Sequence, residues 1–200
     1  MNKTFLESIT SRRSIYAIGK GSGVSEAAVL DLLKQATDFA PSAFNSQSQR
    51  VVLLTDKAHQ KLWEITLEEL RKVTPAQAFK KTEGKIASFA AGEGTILYFD
   101  ETATTQKLKE AFPLYAPNFE PWAEQSNGML QFIIWTGLEN LGLGVSLQHY
   151  NPLIDSDVQK AWGISSSWRL RAEMVYGKKL AEADPRSHLP LDQRVLAFDK

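Results

Sequence analysis

Ala40-Pro41-Ser42-Ala43-Phe44-Asn45-Ser46-Gln47 lies between an amphipathic helical pattern and the apolar run Val51-Val52-Leu53-Leu54. Its Ser, Asn and Gln side chains donate and accept hydrogen bonds without carrying charge. That chemistry suits a neutral heteroaromatic ring with carbonyl and imide edges. The same residue types also build a plain helix-to-strand connector with Asx and Ser turns. A loop anchored at a strand end is a usual place for a site. Upstream, Ser25 is placed to cap a helix with Val29, Leu32, Leu33 and Ala36 on one face.

Outward from this loop, strand and helix patterns alternate. Phe5, Leu6 and Ile9 mark a short first helix that ends near Ser11-Arg12-Arg13-Ser14. Gly19, Gly21 and Gly23 read as a flexible connector. Asp56 is placed to cap a helix carrying Leu62, Ile65, Leu67 and Leu70. Thr74-Pro75-Ala76-Gln77 has capping-box spacing, with Pro at the first helical position. Thr95-Ile96-Leu97-Tyr98-Phe99 reads as a second buried strand, followed by a short helix over about 102–110. Pro121 opens a long helix to about Leu141 that is apolar on more than one side, from Met129 to Leu138, so it needs burial on several sides. Gly142-Leu143-Gly144 turns into a strand that ends in Gln148-His149-Tyr150. A short helix follows at Val158–Trp162, then an alternating strand from Arg169 to Tyr176. From Gly177 the chain has little periodicity and reads as an extended arm anchored by Val195, Leu196 and Phe198. Four strands and about seven helices indicate α/β or α+β, with a helix-flanked sheet.

Composition narrows the function. The 200 residues fit one domain able to bury roughly 70% of the unfolded chain's surface. Lys plus Arg is 23 and Asp plus Glu is 23, so no basic excess points to nucleic acid or a membrane surface. With no cysteine, disulfides, thiolate nucleophiles and Cys-ligated metals are excluded. Three histidines form no metal-binding spacing, and no metal is expected. The start has no long apolar run, so cytoplasmic residence is expected. No nucleophile elbow and no phosphate-binding loop of the Gly-x-x-x-x-Gly-Lys type occurs.

Arg12-Arg13-Ser14 offers guanidinium forks and a hydroxyl suited to a phosphate, or a solvated basic turn. Arg186 before Leu189-Pro190 is a second basic element, either returning charge to that phosphate or lying on a surface tail. Trp63, Trp122, Trp135, Trp162 and Trp168 read as core or interface. Phe44, Phe89, Phe112 and Tyr115 either roof a flat substrate or pack in the core.

In this order the motifs resemble the FMN-dependent nitroreductase family over nearly the whole chain. Ser11-Arg12-Arg13-Ser14 is similar to the family's Ser-x-Arg-x-Ser opening at the FMN phosphate and ribityl chain. Residues 40–47 resemble its Ala-Pro-Ser-x-x-Asn-x-Gln loop beside the isoalloxazine ring, usually that of the partner's flavin. Leu141-Gly142-Leu143-Gly144 matches the turn after its long helix. Where many larger members have Glu-Gly near flavin N5, this chain has His149-Tyr150 after Gln148. That resembles a compact branch with fungal and lactic-acid-bacterial stress-response oxidoreductases.

The resemblance implies an α+β three-layer sandwich: a central mixed, mainly antiparallel sheet flanked by helices, in an intertwined homodimer with two FMN sites at the interface. It implies one FMN-binding domain over residues 1–200, with an arm at about 178–200 packing on the partner. The implied cofactor-binding residues are Arg12, Arg13, Ser14, Pro41, Ser42, Asn45, Gln47, Lys85, Gly144, Gln148, His149, Tyr150 and Arg186. No catalytic side chain is implied, because the flavin carries the chemistry. The implied activity is NADH- or NADPH-dependent reduction of nitroaromatics or quinones, small aromatic acceptors, by ping-pong hydride transfer. The alternatives are an FMN-binding stress or regulatory protein with little turnover, and flavin fragmentation or reductive dehalogenation as in distant members.

Overall fold

Successive strand residues face opposite sides of a sheet, so an apolar strand can feed two cores at once. Ile96 and Tyr98 pack on one side, Leu97 and Phe99 on the other, and all four are buried. The computed structural model describes residues 3–198. It is built from α1 (Phe5–Ser11), β1 (Ile18–Gly19), α2 (Glu26–Phe39), β2 (Gln49–Thr55), α3 (Asp56–Val73), α4 (Ala76–Ala90) and β3 (Gly94–Glu101). Then come α5 (Thr102–Ala111), α6 (Phe119–Asn140), β4 (Leu143–Gln148), α7 (Asp155–Trp162) and β5 (Trp168–Lys179), with short 3-10 turns at Ala43–Asn45, Pro113–Asn118 and Leu191–Gln193.

β5 is the central strand. It pairs with β3, β4 and β1, and β3 pairs in turn with the edge strand β2. All these pairings are antiparallel, so the expected parallel component of a mixed sheet is not seen among the described residues. The α+β sandwich itself stands. One layer, α2 and α6, covers Ile96, Tyr98, Ala172 and Met174. The other, α3, α4 and α7, covers Leu97, Phe99, Leu170 and Val175. The register shifts between Tyr98 and Phe99: Tyr98 faces Ala172 but Phe99 faces Leu170. Such a bulge switches faces. Leu170 thereby joins the α3 side, and Arg171 reaches Glu124 of α6.

Local expectations meet mixed outcomes. Ser25 caps α2, its Oγ accepting the Ala28 N–H at 3.2 Å. Pro75 is the N-cap of α4 and no side chain caps it, because Thr74 already closes α3; the capping box is not realised. Asp56 is the first residue of α3 rather than its cap, which is Thr55. The glycine connector holds a short strand, β1, and is tethered where the Ser22 backbone N–H and hydroxyl both donate to Glu93. Phe5 and Leu6 are 73% and 70% exposed, whereas Ser8 is the buried residue of α1. α1 is held on α6 by polar contacts instead. Lys3 pairs with Glu139 at 2.8 Å, Ser11 donates to Glu139 at 2.9 Å, and Asn140 donates to Ser8 at 3.0 Å. Residues 181–198 are exposed or half-buried along almost their whole length.

Candidate functional site

The docking of α1 on the end of α6 fixes the first part of the site. Arg12 is the C-cap of α1, and its guanidinium lies 4.4 Å over the Trp135 ring of α6. The chain then turns so that the Ile15 N–H donates to Val145 of β4 at 2.9 Å. Gly144 makes that approach possible: a Cβ there would meet Ile18 at 2.9 Å and Ile15 at 3.0 Å. The Gly142-x-Gly144 turn therefore seats the arginine turn. From the other end of the chain, Arg13 donates to the Asp184 carbonyl, which brings the arm alongside.

The result is a cleft of about 520 Å³ whose lining includes Arg12, Arg13, Ser14 and Arg186. Arg12 is lowered from its ordinary value, first by desolvation and then by the like charges of Arg186 and Arg13. Its Nε is buried without a partner. Glu182 and Asp184 share the lining, but three guanidinium groups, one with an unpartnered Nε, outnumber them and favour an anion, and phosphate has the matching oxygen geometry. These residues fit the phosphate end of FMN.

The 40–47 loop presents a strained, ordered shape. Phe44, Asn45 and Gln47 all have left-handed backbone, with φ of 56°, 49° and 47°. Asn tolerates such an angle, but Phe44 and Gln47 hold it only where the surroundings impose it. Ser42 Oγ accepts the Gln47 N–H at 3.0 Å, and Gln49 donates to the Pro41 carbonyl at 3.4 Å. Phe44 is gripped by aromatic rings, with Phe112, Phe119, Tyr115 and Trp122 at 4.9, 5.3, 5.9 and 6.0 Å between centroids. Phe44, Phe112 and Tyr115 remain partly exposed, whereas Phe89 is core.

Pro41 lines an apolar groove of about 890 Å³ together with Phe5, Met129, Phe132 and Ile133. The loop thus borders the open face of α6. Leu130, Ile134 and Leu138 bury the opposite face of that helix.

At the end of β4, Gln148 is buried and donates to Ser146 at 3.2 Å, while His149 is exposed. Tyr150 is half-buried, packs edge-on to Trp63 at 6.0 Å, and has its phenol pushed up to about 12 by desolvation and the nearby Glu173 charge. Lys85 lies on the exposed surface of α4 with Nζ 5.6 Å over the Phe89 ring, and it does not line the arginine cleft. Thus Arg12, Arg13, Ser14 and Arg186 share one cleft, while the 41–47 loop, the 148–150 turn and Lys85 lie outside its lining.

Sequence reasoning missed Trp135 as the platform under Arg12. It set Phe44 together with Phe112 and Tyr115 but left out Phe119 and Trp122, whose rings complete the group. Among the described residues, no group of His, Asp and Glu could hold a metal ion, and no helix is long and apolar enough to cross a membrane.

Residues 9–178 match the model of the nitroreductase family. The chain belongs to this family. It is 41% identical to the nitroreductase CinD of Lactococcus lactis, solved with chloramphenicol. The match covers 98% of this chain and all of that one, with a TM-score of 0.91. The Saccharomyces cerevisiae protein HBN1 is 32% identical over 195 residues, 96% of each chain. A Desulfovibrio desulfuricans protein solved in complex with FMN is 18% identical with a TM-score of 0.71, and it shows the shared fold alone. Membership of the nitroreductase family makes the protein an oxidoreductase.

Proposed function

We propose that the chain is an NADH- or NADPH-dependent FMN oxidoreductase that reduces nitroaromatics or quinones, and that it works as a cytoplasmic homodimer. The observation that carries this reading is the convergence of Arg12, Arg13 and Arg186 on one cleft, with Arg12 desolvated and its Nε unpartnered. Bound FMN supplies two-electron exchange, in ping-pong order, between a nicotinamide and an electron-poor aromatic acceptor. In this reading Arg12, Arg13, Ser14 and Arg186 hold the phosphate. Ser42, Asn45 and Gln47 meet the ring edges, with Pro41 beside them. Gln148, His149 and Tyr150 border the ring from the end of β4. Gly144 acts by letting the arginine turn close on β4, and Lys85 is a peripheral member. Phe44, Phe112 and Tyr115 exclude water and offer aromatic faces to a flat acceptor.

The dimer is supported by the open face of α6. Met129, Phe132 and Ile133 are exposed hydrophobics beside Pro41, and isolated monomers rarely leave so apolar a groove uncovered. The single domain of residues 1–200 lends its arm at about 178–200, where Leu189, Leu191, Val195, Leu196 and Phe198 are exposed, to the partner.

An anaerobic spectral titration tests the reading. Protein reconstituted with FMN is expected to be yellow, to bleach with NADH or NADPH, and to recolour with a nitroaromatic. A protein that stays colourless refutes it. Yellow protein that no nicotinamide bleaches points to a binding protein with little turnover.

A further inference from the structure

Glu173 lies in the middle of β5, between Leu97 of β3 and Gln148 of β4, and has no exposed surface. Its Oε2 accepts the Tyr150 N–H at 2.9 Å. Its Oε1 is buried without a hydrogen-bond partner. Asn151 Oδ1 and Asp155 Oδ1, in the segment that follows Tyr150, are likewise buried and unpartnered. Three acceptors with no donor are a costly arrangement in a dry interior. A proton on Glu173 changes it from acceptor-only to an O–H donor.

The groups around Glu173 favour that proton. α7 contributes Asp155, itself raised by burial against the pull of Arg171 and Arg169. The turn contributes the Tyr150 phenol, and β3 and β4 contribute uncharged Leu97 and Gln148. α3 contributes uncharged Trp63, which packs against Tyr150. Burial above all, with the charge of Asp155 adding to it, pushes the Glu173 carboxyl up to about 8, against the opposing Tyr150 N–H.

We propose that Glu173 is a positioning residue acting as a neutral acid: it holds the Gln148–Asn151 turn in the shape that receives the flavin, and its ionisation distorts that turn by setting a charge against the unpartnered Asn151 and Asp155 oxygens, even as the Tyr150 N–H bond itself tightens. The proposal rests on the reading of this turn as a border of the flavin ring. It concerns a side chain that touches the turn and not the cofactor.

The test compares wild type with Glu173→Gln, which keeps a carbonyl acceptor for Tyr150 and cannot ionise. FMN affinity is measured by flavin fluorescence quenching across pH 6 to 9. If only the protonated form is competent, the wild-type dissociation constant rises about tenfold between pH 7 and pH 9, while Glu173→Gln stays within about twofold. In the flavin-free protein, the Tyr150 amide, seen by selective ¹⁵N-tyrosine labelling, is expected to move in one step centred near pH 8 in wild type and not in the variant. Glu173→Ala, lacking the acceptor, is expected to bind FMN weakly at every pH. The same pH profile in wild type and Glu173→Gln, or a Tyr150 amide that does not titrate, overturns the proposal. If neither protein binds FMN at any pH, the flavin reading fails, and the amide titration then decides separately whether Glu173 holds the turn.

Discussion

Glu173→Gln also makes a prediction about folding that needs no cofactor. In the folded protein the carboxyl is raised from 4.5 to about 8, chiefly by desolvation. The unfolded chain gives up this proton from about pH 4.5 upward, whereas the folded chain keeps it. Between those values the unfolded state binds fewer protons, so stability falls as pH rises. Each pH unit costs about 1.4 kcal/mol, and the loss levels off near about 5 kcal/mol above pH 8. That is a large part of the roughly 5–15 kcal/mol that holds a domain together. Glu173→Gln lacks this ionisation and keeps the others, which cancel in the comparison. The two proteins should therefore have similar stability at about pH 5, and the variant should be the more stable by up to about 5 kcal/mol at pH 9. Denaturant unfolding at fixed protein concentration, from pH 5 to pH 9, measures the difference. A difference that does not change with pH, or that grows toward acid, would refute the reasoning.

Arg12→Ala removes a charge-assisted contact to the phosphate worth about 1.5–3 kcal/mol, so FMN should bind about 10- to 150-fold more weakly by fluorescence titration. Gly144→Ala drives a Cβ into Ile15 and Ile18. It should cost about 1–3 kcal/mol in thermal or denaturant unfolding and weaken FMN binding by shifting the arginine turn. His59, at 2.9 Å from the Thr95 hydroxyl, is lowered mainly by burial. The unfolded chain therefore takes up its proton first, and wild type loses stability as pH falls below about 6.5, toward the folded value. In His59→Gln this part of the acid limb should flatten in pH-dependent unfolding.

Much of the fold was legible because local signals agreed with tertiary need. The apolar runs at 51–54 and 95–99 are strands buried on two sides, and Ser25 is a cap because no other element claims it. Three features escaped for physical reasons. Thr74 cannot cap α4, because the chain needs it to end α3. Phe5 and Leu6 have core spacing yet face outward, since polar contacts from Lys3, Ser8 and Ser11 decide how α1 docks. Glu173 sits in an alternating strand, where a charge reads as the wet face. Only the pairing of β5 on both edges and the cover of α7 make it dry. The arginine turn was readable as a phosphate grip, but the ring beneath it was not, because Trp135 lies 123 positions away along the chain.

The stretch of α6 from Met129 to Leu138 has no idle position. Leu130, Ile134 and Leu138 belong to the core, and Trp135 carries Arg12. Met129, Phe132 and Ile133 form the open apolar face. Gln131 donates to Asn127, Thr136 donates to the Phe132 carbonyl, and Gly137 lies so close to Leu32 that a Cβ would meet it at 2.6 Å. Sequence drift along this helix should therefore be slow on every face rather than on one. For an engineer, the exposed sides of α3 and α4 are the places to add charge or a label, and this stretch is the last.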